Sequence, residues 1–143
     1  MAHNPWNIAP GLNNVGSYQS SGEPFVTGAI NATDAAGTKV SFPQVTRWLQ
    51  VYTYDAGQDL RLGFSANGIR GNAYDGYGGF NHILIPASGS TGPGSSGILE
   101  LKVSEIWLFG SNDVHVIAGL TAIPSIRTYG IAGDNWSGSS GVG

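Results

Sequence analysis

The chain contains no cysteine. Disulfide scaffolds, thiol nucleophiles and cysteine-ligated zinc are therefore excluded, and the redox state of its compartment leaves no mark on the sequence. Charge is scarce as well: Asp, Glu, Lys and Arg make up 10% of the 143 residues, against about 25% in an ordinary soluble domain. The six Lys and Arg are scattered, and the net charge is −3. No basic stripe can neutralise a phosphate backbone, so nucleic acid is not an expected partner. No apolar run approaches the roughly 18 residues of a membrane span, and a membrane is not expected either. The opening Met1-Ala2-His3-Asn4-Pro5-Trp6 has no basic n-region or apolar h-region, so the expectation is synthesis in a cytoplasm, or else a processed form.

Glycine is abundant, at 23 residues, and sits between short apolar runs as turn punctuation. No segment keeps a 3.6-residue apolar period, whereas period-two alternation predicts strands at 24–30, 38–42, 46–54, 59–65, 80–86, 98–103, 104–109 and 113–120. Residues 67–79 and the low-complexity run 87–97 read as loops. The expected fold is all-β: an eight-stranded antiparallel sandwich, jelly-roll-like, or another sandwich of the same size. It occupies residues 25–124, between an extended N-terminal arm (1–24) and an extended C-terminal tail (125–143). A chain of this length buries roughly two-thirds of its unfolded surface, enough for a core without staples.

Catalytic chemistry finds no support. No Gly-x-Ser-x-Gly elbow occurs, and His3, His82 and His115 are spread over the arm and two strands, where strand-facing structural roles are expected. Asp55 and Asp59 bracket a short turn and Asp75 sits in the 72–79 loop; either place could hold a calcium ion, but Asp in a Gly-rich turn ordinarily caps the backbone. Glu100 and Glu105 do not share a strand face, as a glycosidase pair would require. The Gly92–Gly97 match to Gly-x-Gly-x-x-Gly precedes a strand rather than a helix and is accidental. Asn31-Ala32-Thr33 and Asn135-Trp136-Ser137 match a glycosylation sequon, which has no meaning without a secretory route. The expected protein is not an enzyme, and no metal or cofactor is expected.

Aromatic residues are the remaining signal. Trp48, Tyr52 and Tyr54 alternate along one strand face, and Tyr74, Tyr77 and Phe80 crowd one loop. Three readings fit them: core, subunit contact, or a platform on which sugar rings stack. Low charge with 10% aromatics fits an interface-forming surface, the plainer alternative being a Ser/Thr/Gly-coated monomer. Trp6 and Trp136 in the arm and tail suit anchoring in a partner's pockets.

The runs Phe42-Pro43-Gln44-Val45-Thr46-Arg47-Trp48-Leu49-Gln50-Val51-Tyr52 and Leu99-Glu100-Leu101-Lys102-Val103-Ser104-Glu105-Ile106-Trp107-Leu108-Phe109, with strand 114–124, resemble small jelly-roll proteins of tailed-bacteriophage capsids. The likeness spans residues 25–124 and is one of layout, without a diagnostic motif. It implies a decoration (cement) protein on the virion surface, made in the host cytoplasm. Such a protein binds the major capsid protein, associates with itself as a homotrimer, and bridges capsomers. Trp6, Asn7, Ile8, Leu12 and Trp136 are the expected capsid contacts, and Trp48, Tyr52, Tyr54, Tyr74 and Tyr77 the expected oligomer contacts. The alternative is a carbohydrate- or receptor-binding module of a phage fibre or other virion appendage.

Overall fold

The computed structural model describes residues 22–70 and 81–128. Among these residues are eight strands: β1 (Glu23–Ile30), β2 (Thr38–Ser41), β3 (Gln44–Thr53), β4 (Leu60–Gly63), β5 (His82–Ile85), β6 (Gly94–Ser95), β7 (Glu105–Phe109) and β8 (Val114–Pro124). They form two four-stranded sheets, ordered β1-β8-β3-β6 and β2-β7-β4-β5. Every pairing is antiparallel. The architecture is an eight-stranded, two-sheet antiparallel β-sandwich.

Alternation along the strands builds the core. Leu49 and Val51 of β3, with Val114, Val116, Ala118 and Leu120 of β8, face inward from the first sheet. Leu60 and Leu62 of β4, Ile85 of β5, and Ile106 and Leu108 of β7 meet them from the second. Phe25 and Phe42 pack edge to face between the layers, their centroids 5.0 Å apart. Buried hydroxyls are paired: Thr53 with Ser111 at 2.7 Å, Ser104 with Thr128 at 2.7 Å, and Thr121 donating to the Val45 carbonyl at 2.7 Å. Among the described residues no buried side-chain polar atom lacks a partner, as a stable interior requires.

Three local expectations are corrected. Residues 98–103 alternate but form no strand. Leu99 makes a bridge to Leu49 and Thr46 N–H donates to Val103 O (2.9 Å), while between them the Thr46 hydroxyl takes one rung by donating to Leu101 O (2.6 Å) and accepting from Val103 N–H (3.2 Å). β3 is itself irregular at this point, its register toward β8 shifting on either side of Thr46. The eighth strand is instead β6, inside the run read as a loop. A Cβ on Gly94 would collide with the Pro86 carbonyl, so only glycine permits this approach. Thirdly, the strand predicted to Ser65 ends at Gly63, and a short helix, α1 (Ala66–Arg70), follows. The Ser65 hydroxyl caps it by accepting the Gly68 N–H at 2.9 Å. Its Ile69, fully buried, rests over Gly37 and Gly63. After β8, Ser125–Thr128 makes one 3-10 turn.

The core assignment is testable by urea unfolding. Leu62→Ala removes a fully buried side chain and should cost about 2–5 kcal/mol. Ile98→Ala removes one that is 67% exposed and should cost less than about 0.5 kcal/mol. Equal losses would contradict the inward register.

Candidate functional site

The outer face of the first sheet is aromatic and apolar. The register sets Pro24, Gly119 and Trp48 in one row, and Val26, Ile117 and Gln50 in the next. A third row holds His115, Tyr52 and Ser95. Gly28 lies beneath the His115 ring, where a Cβ would stand 2.5 Å from Nδ1. These three rows contain no Lys, Arg, Asp or Glu. Among the described residues, Val26 is 71% and Tyr54 49% exposed, and Trp48, Gln50, Tyr52 and Ile117 are half-buried. Tyr54 packs edge-on to the His115 ring at 4.7 Å, and His115 Nε2 bonds Asp113 at 3.0 Å on the margin. The strand face carrying Trp48 and Tyr52 is thus not core.

A second feature lies against the outer side of the other sheet. There Arg61 of β4 stands between Leu84 of β5 and Phe109 of β7, the three being register partners. With Thr33, the Gly57-Gln58-Asp59 turn and Gly110, they line an open cleft of about 670 Å³. Its walls are fixed. Asp55 Oδ1 accepts the Gly57 N–H (2.8 Å), and Oδ2 accepts that of Asn112 (3.1 Å). Asp59 Oδ1 accepts the Ala87 N–H at 2.8 Å. The Thr33 side is stitched down by Ala32 N–H to Ser111 O and Gly110 N–H to Ala32 O, both 2.8 Å. Gly110, at φ +115°, lies so close that a Cβ would be 2.5 Å from Asp59 O. The Arg61 guanidinium sits 5.4 Å from the Phe109 ring centroid and donates to Ile69 O at 2.9 Å.

The other residues singled out in the sequence fall as follows. His82 Nδ1–H donates to Gly68 O at 2.9 Å, a bond that ties β5 to α1. Glu105 is buried on the second sheet beside Lys39 (3.7 Å), whereas Glu100 is exposed outside any strand. Asn31 Oδ1 accepts both the N–H and the O–H of Thr33, a local turn. Among the described residues no three of His, Asp and Glu gather as metal ligands. His3, Trp6, Asn7, Ile8, Leu12, Tyr74, Asp75, Tyr77 and Trp136 lie outside the described residues. Trp48, Tyr52 and Tyr54 come together on one sheet face, as their spacing predicts. Thr33, Gln58, Arg61, Leu84 and Phe109 carried no signal as a group, because the cleft joins four separate segments. Arg61, alternating with Leu60 and Leu62, was the one readable sign that an outward cation stood there.

Comparison with known protein families, with curated proteins and with solved structures finds no match to this chain.

The Asp55 clamp predicts a pH dependence. Backbone amides, first of Gly57 and then of Asn112, hold its carboxyl below the ordinary value of 3.8. A lowered folded-state pKa contributes stability above the unfolded value, lost as pH falls through the folded one. The thermal stability of wild type should therefore fall as pH drops below about 4. Asp55→Asn should melt lower at neutral pH and show a shallower acid slope. Parallel profiles for the two proteins would rule out the clamp.

Proposed function

We propose that this chain is a non-catalytic binding module of a virion: a jelly roll of the carbohydrate- or receptor-binding kind, carried on a fibre or other appendage. Strand order supports the jelly roll. The first strand pairs with the last, β2 with β7, β3 with β6, and β4 with β5. A long hairpin of two four-strand arms, rolled up, gives that order. Double-sheet jelly rolls serve in both lectin and viral capsid domains. The virion setting rests on the resemblance of residues 25–124 to phage capsid proteins.

The observation that carries the binding reading is the outward aromatic face. Trp48, Tyr52 and Tyr54 stand beside Val26 and Ile117 on a sheet surface without ionic groups between them. Tyr and Trp combine large contact area with little entropy to lose, and they dominate the energetic centres of interfaces. The absence of charge removes both the desolvation cost of burying ions and the repulsion between identical copies. Self-association as a homotrimer belongs to the same proposal. A second reading, capsid decoration, is favoured by the width of the face: a sheet surface three strands across suits a broad protein partner such as the major capsid protein.

The test applies the full chain to a panel of bacterial cells and, separately, to undecorated phage heads. Retention on cells is expected. The double variant Trp48→Ala/Tyr52→Ala should lose at least about tenfold in affinity, as removal of two aromatic anchors implies, while its urea midpoint stays near that of wild type. Retention on heads alone would transfer the function to decoration. Wild-type binding by the double variant would refute the aromatic face as the contact.

A further inference from the structure

We infer that the cleft between Thr33, Gln58, Asp59, Arg61, Leu84 and Phe109 is a binding site for a neutral saccharide. The inference rests on the reading of the chain as a binding module, and it uses the sheet opposite the aromatic face.

Chemical balance points to the ligand. Arg61 offers only donors, and among the described residues one of its five N–H groups is engaged, with Ile69 O. Asp59 offers only acceptors, and among the described residues one of its two oxygens is engaged, Oδ1 with Ala87 N–H. The Thr33 hydroxyl already donates to Asn31 Oδ1, so toward a further partner it can only accept. The Gln58 amide supplies both kinds of group from an exposed position. Donor-only and acceptor-only groups in one cleft suit a partner whose every polar group can do either. A sugar hydroxyl is such a group, one O–H with two lone pairs. Vicinal diols present several at fixed spacing.

Charge excludes the obvious competitors. Asp59 and Arg61 cancel within the lining, so neither an anion nor a cation meets a net opposite charge. The apolar wall fits the C–H faces of a pyranose: Leu84 is 59% exposed, and the half-buried Phe109 lies beside it across Arg61. An open cleft of about 670 Å³ lies within the roughly 300–1,000 Å³ of small-molecule sites.

Preorganisation supports the same conclusion. Asp59 and the turn bearing Gln58 are pinned by backbone amides from residues 57, 87 and 112, and Arg61 is held between a ring and a carbonyl. Groups held this way lose little entropy on binding a ligand.

A glycan array carrying both neutral and sialylated or uronate-bearing saccharides provides the test, with the full chain as probe. Neutral glycans should be retained and acidic ones not. Gln58→Ala, an exposed change outside the packing, and Asp59→Asn should each weaken retention about tenfold, the effect of losing a hydrogen bond in which the group or its partner is well placed. Ile98→Ala, an exposed change on neither the cleft nor the aromatic face, should leave glycan retention unchanged. Binding that follows the acidic glycans, or no glycan binding at all, would overturn the site. Loss with Trp48→Ala but not with the two cleft variants would also overturn it, while leaving the chain a glycan-binding module through its aromatic face.

Discussion

The antiparallel ladder between β3 and β8 is the constraint on which the rest depends. These are the two longest strands, and they pair from Gln44↔Pro124 to Thr53↔Val114. Side chains alternate across a sheet with period two, so one residue of slip would exchange everything on the two faces. In the register adopted, Leu49 and Val51 enter the core with Val114, Val116 and Ala118, and Trp48, Gln50 and Tyr52 stand outside. Core and aromatic surface are thus two sides of one choice. The reverse register would bury an indole, an amide and a phenol while exposing the leucine and valine.

The same ladder positions the far side of the molecule. Where β3 ends, Tyr54 N–H bonds Asp113 O at 2.9 Å, and Asp55 then turns the chain by accepting the amides of Gly57 and Asn112. That turn delivers Gln58 and Asp59 to the cleft and starts β4, whose Arg61 points outward as Leu60 and Leu62 point in. The two outer surfaces consequently differ in kind. One is wide, neutral and aromatic, suited to a broad partner. The other holds one acidic and one basic side chain around a small recess. A molecule with one-tenth of its residues charged has placed Asp59 and Arg61 together in that recess.

Much of this was legible in the letters. The alternation at 46–54 named the residues on each face of β3, and Val114, Val116, Ala118 and Leu120 were readable as one face of β8. Whether the aromatic side of β3 faced core or solvent was not readable, because alternation divides two faces without saying which is covered. The segment 98–103 misled for a related reason. Its leucines and valine do point at the core, but side-chain alternation reports burial and not a continuous ladder, which here is broken where the Thr46 hydroxyl takes one of the rungs. The pairing of β6 rests on the absence of a Cβ at Gly94, invisible in a run of Gly and Ser. The cleft was hidden more deeply, since Thr33, Asp59, Leu84 and Phe109 meet only through sheet order.

Because the chain lacks cysteine, a thiol introduced at any position reports on that position alone. The most direct test of the register is therefore the rate of thiol labelling in Leu49→Cys, Gln50→Cys, Val51→Cys and Tyr52→Cys, each measured in the native protein and again in denaturant. Fast native labelling at 50 and 52, with protection at 49 and 51 that only denaturant removes, is the predicted pattern. Uniform rates, or protection at 50 and 52 with rapid labelling at 49 and 51, would contradict the inward and outward faces from which the core, the aromatic surface and the cleft all follow.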